Sequence, residues 1–258
     1  MKKALFYTII FAALQIAIGA IVVACWKFFT HDWPTNNITC TIVMSVIADV
    51  IVVALFLKLK WSEVSPNWLR SRQWAVLFWC AMVAVGMLVP SQWLQERLDL
   101  PNWAEDMFEG LIANPWGYVV VGLMAPFVEE LVMRGAVLRA LLKWNENQWV
   151  GIAISAVLFS LIHANPAQMP HAFLAGLLLG WLYYRTGSII PGVVVHWVNN
   201  SVAFAVGHVM MAIDPASKGD IPLVQLFGSD MRVLMAVGCS LMIMLPALYQ
   251  LNIRLKRA

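Results

Sequence analysis

Six side chains in otherwise apolar stretches of the sequence have the chemistry for acid–base catalysis. They are Glu129, Glu130, Arg134, His163, His196 and Asn200. An ionisable side chain within an apolar helix that spans a membrane is costly to desolvate, so it needs a partner or a function. A carboxylate and a histidine that meet at one water molecule can remove its proton, and a second histidine with an asparagine can donate hydrogen bonds to the resulting oxyanion. This set of residues predicts hydrolysis of a peptide bond without a covalent enzyme intermediate.

The spacing of the charged residues predicts different roles for the two glutamates. Glu130 and Arg134 are four residues apart on one face of a helix, whereas Glu129 points about 100° away. Arg134 is therefore expected to neutralise Glu130, and Glu129 is left as a candidate general base. Pro126 is expected to bend this helix and to free a backbone carbonyl beside the site. A purely structural ion cluster is the alternative for this segment.

The histidines lie on two further apolar stretches. His163 follows the segment Phe-Ser-Leu-Ile, and His196 and Asn200 are four residues apart, which places them on one helix face. At about 1.5 Å of rise per residue, these side chains and Glu129 fall at overlapping depths, so they are expected to line one cavity inside the bilayer. The sequence contains no HExxH, GxSG or GxGD motif. Ser160, three residues before His163, is expected to serve helix packing rather than catalysis.

The composition indicates which elements must position this site. Of 258 residues, 61% are hydrophobic and 12% are charged, and the mean hydropathy is +0.76. These values exclude a soluble globular domain and a disordered chain, and they indicate that lipid surrounds most of the protein. The net charge of +3 is small and dispersed, so nucleic acid is not an expected partner. The four cysteines show no CxxC spacing and are expected to be core residues.

The sequence predicts an all-α, polytopic membrane protein with a single integral membrane domain over 1–258 and a catalytic core at about 116–210. A bilayer core about 30 Å thick needs roughly 20 apolar residues of helix. The eight predicted spans are Leu5–Lys27, Ile38–Leu57, Trp74–Val89, Trp116–Leu142, Trp149–Asn165, His171–Tyr184, Ile189–Met210 and Met231–Leu251. The run from Lys2 to Cys25 also loosely resembles a lipoprotein signal, but it is longer than such signals are, and a first transmembrane helix is the expectation.

The distribution of basic residues predicts the orientation. With eight spans and a cytoplasmic N-terminus, most Lys and Arg residues fall on the cytoplasmic side, as the positive-inside rule requires. That group is Lys2, Lys3, Lys58, Lys60, Arg70, Arg72, Arg139, Lys143, Arg185, Arg254, Lys256 and Arg257, and the outer group is Lys27, Arg97, Lys218 and Arg232. Both termini are therefore expected in the cytoplasm, and the acidic segment 92–115 is expected to form a surface helix on the outer side. The compact loops indicate the plasma membrane of a prokaryote.

Three sets of residues, in their order along the chain, resemble the motifs of the CAAX-protease and bacteriocin-processing (CPBP) family. This is also called the ABI family of glutamic intramembrane proteases, and it includes proteins like the type II CAAX prenyl proteases. The sets are Glu129-Glu130-xxx-Arg134-Gly135, Phe159-xxx-His163 and His196-xxx-Asn200, and the segment from Gly180 to Gly192 is also similar. The similarity covers about Val119 to Ala205, and no motif position departs from the pattern.

The resemblance implies a role for each of these residues. Glu129 with His163 would activate the attacking water, and His196 with Asn200 would form the oxyanion pocket. No cofactor is expected, and a zinc ion held by Glu129, His163 and His196 is the minority alternative. The implied activity is that of an intramembrane endopeptidase whose partner is a membrane-embedded or lipid-associated peptide or protein substrate.

By the same resemblance, Glu130 with Arg134 would organise the site. Two other classes of protein stay open, a non-catalytic scaffold or bacteriocin-immunity protein of the same fold and a proton-coupled carrier, for which buried Glu, His and Arg are also natural. The carrier is disfavoured because the sequence has no evident inverted repeat. Asp49 is expected to make a helix-packing hydrogen bond or to be the partner of a cavity residue, and His171 and His208 are expected at the membrane interface.

Overall fold

The computed structural model describes residues 1–34, 37–70, 73–214 and 221–255. Over these ranges the chain is all-helical and contains no strand. The α-helices are α1 Lys2–Thr30, α2 Ile38–Lys58, α3 Pro66–Arg70, α4 Trp74–Leu98, α5 Glu105–Ala113, α6 Ala125–Val132, α7 Arg139–Trp144, α8 Gln148–Ile162, α9 Met169–Thr186, α10 Ile190–Ile213, α11 Leu223–Phe227 and α12 Asp230–Arg254. Arg72, Lys218, Lys256 and Arg257, which the charge pattern assigned to one or other side of the membrane, lie outside the described residues.

One long helix runs without interruption over residues 119–144, and it is termed the glutamate helix. It consists of a π-helical segment Val119–Met124, then α6, then a second π-helical segment Met133–Leu138, then α7. A π-helical turn carries one residue more than an α-helical turn and is frequent at functional sites. The two segments lie on either side of the adjacent glutamates of α6.

Five of the described helices, α1, α2, α4, α10 and α12, are long and apolar enough to cross a membrane. The glutamate helix, α8 and α9 cover the three other predicted spans but are not among these five. The glutamate helix carries charges at mid-length, and α8 has only 15 residues. The count of eight spans and the cytoplasmic position of both termini therefore stay predictions.

The glutamate helix lies at the centre of the bundle. It contacts α1, α2, α8, α9 and α10, while α4 packs against α12 and α10 on one side. Every residue from 130 to 138 is buried. By contrast, large apolar side chains of α1 and α12 face outward, as Ile16 and Met242 do with 74% and 75% exposure, which suits contact with lipid. The bundle thus buries its polar residues and presents its apolar ones.

Small residues allow the helices around the site to approach closely. A Cβ atom at Gly176 of α9 would lie 2.9 Å from the Cα of Ala156, and one at Gly180 would lie 3.0 Å from Cγ2 of Ile152. Both contacts join α9 to α8. Gly176 and Gly180 therefore serve close helix packing.

The acidic segment 92–115 forms a helix only in part. The end of α4 extends to Leu98, a short connection follows, and α5 covers Glu105–Ala113. The connection is tied to the end of α8 by Asn165, whose Oδ1 accepts the Trp103 N–H at 3.0 Å and whose Nδ2 donates to Asn102 Oδ1 at 2.8 Å. These bonds hold α5 in place over the site, and its position on the outer side of the membrane stays a prediction.

Candidate active site

Glu130 and Arg134 form the buried ion pair expected from their spacing. Arg134 Nη1 donates to Glu130 Oε1 at 2.7 Å, and both side chains are fully buried. Arg134 Nη2 also donates to the Gly176 carbonyl of α9 at 3.3 Å, and the guanidinium lies 4.3 Å from the centre of the Phe159 ring. The pair therefore joins the glutamate helix to α9 and α8.

Gly192 allows α10 to come into contact with this ion pair. A Cβ atom at Gly192 would lie 2.6 Å from Glu130 Oε2, which is closer than atoms in contact can be. Glu130 Oε2 is buried and has no hydrogen-bond partner among the described residues. Only a glycine leaves room for the carboxylate at this point of α10.

We therefore expect Gly192→Ala to destabilise the protein by about 1–3 kcal/mol, the usual cost of overpacking a core. In a helix, alanine is otherwise more favourable than glycine by up to about 1 kcal/mol. A loss of stability in Gly192→Ala would therefore be caused by the clash with Glu130. Gly238→Ala on α12 is the matched control, because nothing lies within 4 Å of a Cβ atom there. Thermal unfolding in detergent measures both variants, and equal melting temperatures for the two would contradict the expected clash.

Glu129 points away from the ion pair and towards two histidines. Its Oε2 atom lies 4.0 Å from His163 Nε2 and 4.0 Å from His196 Nε2. This oxygen is buried and has no hydrogen-bond partner within the described ranges, although the Glu129 side chain as a whole is 22% exposed. The carboxylate and both rings line one cavity. The two glutamates thus differ in environment as the helical geometry predicted.

The ring of His163 has a defined orientation. Its Nδ1 atom lies 2.8 Å from the Phe159 carbonyl oxygen, which can only accept a hydrogen bond. Nδ1 therefore carries the proton, and in the neutral ring the lone pair is on Nε2, the atom nearest to Glu129. The Phe159 ring meets the edges of the His163 and His196 rings, with centroids 4.9 and 5.8 Å apart. Phe159 thus positions both histidines.

His196 and Asn200 lie one turn apart on α10. His196 Nδ1 lies 3.5 Å from Glu130 Oε1, so this ring has one glutamate on each side. Asn200 Oδ1 accepts a hydrogen bond from Asn199 Nδ2 at 3.2 Å. Asn199 also lines the cavity, a position that the sequence analysis missed because it considered only the helix face shared by His196 and Asn200.

The structure identifies the carbonyl that Pro126 frees. The Ala125 N–H donates to the Val120 carbonyl, five residues back. The same five-residue pairing would next join the N–H of residue 126 to the Val121 carbonyl. Residue 126 is proline, which has no N–H, so the Val121 carbonyl receives no hydrogen bond of this kind. Asn200 Nδ2 donates to this oxygen at 3.0 Å. The freed carbonyl therefore fixes the amide of Asn200.

One cavity of about 460 Å³ contains the candidate catalytic side chains. Glu129, His163, His196 and Asn200 line it, α5 supplies apolar side chains, and α2 and α4 supply both apolar side chains and polar ones. The polar ones are Thr41, Ser45, Ser91, Gln92 and Gln95. Such a cavity, mostly apolar with a few convergent polar groups, is typical of a binding site for an organic ligand.

His171 also lines this cavity, which was not predicted, and its position at the membrane interface stays a prediction. Its Nδ1 atom is hydrogen-bonded to Ser91 Oγ of α4. The sequence signal for this pair was weak, because Ser91 is distant in the chain and follows a proline within a helix. His208 is exposed, and its Nδ1 donates to the Ile112 carbonyl at 3.1 Å, while its position at the membrane interface stays a prediction.

Two other polar residues have packing partners. Ser160 Oγ donates to the Met169 carbonyl at 2.8 Å and joins the end of α8 to the start of α9, as predicted. Asp49 is buried in α2, and its Oδ1 accepts a hydrogen bond from Gln15 Nε2 of α1 at 3.2 Å. This is the helix-packing hydrogen bond that the sequence analysis expected.

As arranged, Glu129, His163 and His196 do not fit a zinc ion. Two ligand atoms that are each about 2.0 Å from a tetrahedral zinc are roughly 3.3 Å apart, whereas Glu129 Oε2 lies 4.0 Å from each Nε2 atom. Within the residues that the structure describes, no group of three His, Cys, Asp or Glu side chains could hold a metal ion. No chemical step is therefore assigned to a metal.

The fold and the site together define an all-helical membrane protein with a glutamate and two histidines in a buried cavity. Residues 111–202 match the model of a family described as type II CAAX prenyl endopeptidase Rce1-like. The matched segment includes all six residues singled out in the sequence, and it confirms the resemblance that their motifs indicated. The matched family is a protease family. Comparisons with curated proteins and with solved structures gave no match.

Proposed function

We propose that this protein is an intramembrane endopeptidase, in which Glu129 and His163 activate a water molecule and His196 and Asn200 stabilise the oxyanion. The observation that carries the proposal is the position of Glu129 Oε2, 4.0 Å from Nε2 of both histidines within one cavity. This spacing is too long for direct hydrogen bonds. A water molecule at hydrogen-bond distance, about 2.8 Å, from Glu129 and from His163 fits between them.

Activation of the water follows from the orientation of His163. Because Nδ1 donates to the Phe159 carbonyl, Nε2 offers its lone pair on the side of Glu129. Glu129 takes one proton of the water, whose other hydrogen is held by the lone pair of His163 Nε2, as the water oxygen bonds to the carbonyl carbon of the substrate and the negative charge moves to the carbonyl oxygen. The same proton then passes to the leaving amine as the C–N bond breaks, so that the enzyme returns to its starting state.

Stabilisation of the oxyanion is assigned to α10. His196 donates from Nε2, and the Phe159 ring packs against its ring, whereas Nδ1 lies 3.5 Å from Glu130 Oε1 with no hydrogen-bond partner in the described residues. Asn200 Nδ2 carries two hydrogens, of which one bonds the Val121 carbonyl and the other is available to the substrate. Both donors are fixed before the substrate binds, which is the condition for effective electrostatic stabilisation.

The substrate class follows from the cavity and the surrounding lipid. We assign a membrane-embedded or lipid-associated peptide or protein, because the cavity lies within a bundle whose long apolar helices can cross a membrane. The proposed location is the plasma membrane of a prokaryotic cell, with both termini in the cytoplasm. Nucleic acid is not proposed as a partner, and no cofactor is required by the chemistry described.

Cleavage of a membrane-peptide library by the purified, detergent-solubilised protein tests this function. The wild type and Glu129→Gln are compared, each with and without a strong chelator. We expect cleavage by the wild type that survives the chelator and is absent in the variant. Loss of cleavage with the chelator would support a metal site instead, and identical product patterns from both proteins would exclude Glu129 as the base. A library left intact by both would favour the scaffold.

A further inference from the structure

A second cavity, of about 470 Å³, lies where the start of α1 meets the end of α7. It is lined by Met1, Lys2, Lys3, Ala140, Lys143 and Trp144. None of these residues lines the cavity with the candidate catalytic side chains. Lysine residues of two different helices, Lys2 and Lys3 of α1 and Lys143 of α7, are exposed and border this open surface depression, which is termed the lysine cavity.

The positive charge of the lysine cavity is not neutralised within the described part of the chain. Lys2, Lys3 and Lys143 have no carboxylate within 4.0 Å there, and no acidic side chain lines the cavity. Glu63, a nearby acid, is paired with Arg139, one turn before Lys143. All three lysine side chains are exposed and solvated, so an anion can reach the space between them.

The positions of Lys2 and Lys3 are not explained by the stability of α1. They occupy its first turn, which contains no acidic residue and has no side-chain cap. The helix macrodipole makes cations unfavourable at this end of a helix. A bound anion removes this penalty and the repulsion among the three lysines.

The surroundings of the lysine cavity indicate that the anion belongs to a lipid. α1 is one of the helices that can cross a membrane, so its first turn lies at the membrane–water boundary. Trp144 is 46% exposed at the rim, as aromatic side chains at this boundary often are. Next along α1, the apolar side chains of Leu5 and Phe6 are 42% and 48% exposed, which provides a surface for an acyl chain.

We infer that the lysine cavity binds the headgroup phosphate of an anionic phospholipid. The lysines contact the phosphate, and the acyl chains lie along the exposed apolar side chains of α1. This inference is independent of the proposed protease function, because it uses no residue of the catalytic cavity. Basic pockets between membrane helices are a known way for proteins to hold anionic headgroups.

The test compares lipid binding by the delipidated full chain in a neutral detergent, measured by native mass spectrometry. The probes are phosphatidylglycerol and phosphatidylcholine. The variant Lys2→Gln/Lys3→Gln/Lys143→Gln is compared with Lys27→Gln/Lys58→Gln/Arg254→Gln, which removes the same charge from positions that do not line the cavity. A basic residue near a membrane surface changes affinity for anionic lipid by about fivefold, so three are expected to change it by roughly a hundredfold.

We expect the wild type and the control variant to prefer phosphatidylglycerol, and the lysine-cavity variant to lose this preference. Lys143→Gln alone, which leaves α1 unchanged, is expected to weaken binding by about fivefold. Equal retention of phosphatidylglycerol by the lysine-cavity and control variants would overturn the inference. The lysines would then serve only to orient the protein in the membrane. Displacement of the lipid by an equal concentration of inorganic phosphate would also overturn it, in favour of a soluble anion.

Discussion

Arg134→Ala and Glu130→Gln are each expected to lose most of the folded protein, whereas Glu129→Gln is expected to retain it. Glu130 and Arg134 are fully buried, and their N–O distance is 2.7 Å. Removal of one partner leaves the other as an uncompensated buried charge, which costs about 3–5 kcal/mol. Because proteins are typically stable by only about 5–15 kcal/mol, this loss is enough to lower the yield sharply.

Glu129→Gln differs from these two variants because Glu129 has no buried cation as a partner. The substitution therefore leaves no uncompensated charge in the core. Its side chain is 22% exposed to the cavity, and its nearest charged or polar neighbours are the two histidines at 4.0 Å. Glutamine has nearly the same shape and removes only the charge. We therefore expect Glu129→Gln to abolish cleavage while the free energy of unfolding changes little.

The two glutamine variants make a matched comparison, since they introduce the same chemical change at adjacent residues. Yield after size-exclusion chromatography and thermal unfolding in detergent report the fold, and the peptide-library assay reports cleavage. Arg134→Lys is an informative addition, because it keeps the charge but loses the second hydrogen bond, to the Gly176 carbonyl. Similar losses of folded protein in Glu129→Gln and Glu130→Gln would contradict the separate roles of the two glutamates.

The features predicted best from the sequence are those that depend on one helix alone. The four-residue spacing of Glu130 and Arg134 predicted their ion pair, and the structure has it at 2.7 Å. Pro126 predicted a freed carbonyl nearby, and the Val121 carbonyl is in that situation. In each case the cause is local, because helical geometry or the missing proline N–H decides the outcome without reference to other helices.

Features that depend on packing between helices were not predictable in the same way. His171 was expected at the membrane interface from its place at the end of a predicted span, and its contact with Ser91 of α4 and its place in the cavity were not predicted. The contact of α5 with the cavity depends on the hydrogen bonds that Asn165 makes with Asn102 and Trp103, which are about 60 residues away in the chain. The π-helical segments also shift the angular position of every residue beyond them, which no apolar periodicity revealed.

Asn200→Ala is expected to reduce the turnover number by about a hundredfold or more, with little change in substrate binding. This prediction assumes the proposed function, in which Asn200 Nδ2 donates to the oxyanion. Loss of one such donor typically costs about 10²–10³ in turnover, because the hydrogen bond strengthens as the negative charge develops. An effect on turnover with an unchanged KM is the mark of an interaction made mainly in the transition state.

A control is needed because Asn200 also donates to the Val121 carbonyl at 3.0 Å, and that hydrogen bond contributes about 1 kcal/mol to stability. Ser201→Ala provides it, since Ser201 is the next residue of α10, its Oγ lies 3.0 Å from the hydroxyl of Tyr118, and it does not line the cavity. Both variants lose one hydrogen bond of α10 to the segment around the start of the glutamate helix, and Asn200→Ala also loses the hydrogen bond from Asn199 Nδ2. The melting temperature is therefore expected to fall in both variants, and slightly further in Asn200→Ala.

Only Asn200→Ala removes a donor that faces the substrate, and only its turnover is expected to collapse. Equal turnover in the two variants would show that the amide of Asn200 holds the helices together and has no part in the oxyanion pocket. His196 would then be the single remaining donor on α10, and one neutral or charged imidazole would have to stabilise the oxyanion beside the carboxylate of Glu129, 4.0 Å from its Nε2. That arrangement would stabilise the oxyanion poorly, because the Glu129 carboxylate and the oxyanion would share His196 Nε2 as their donor.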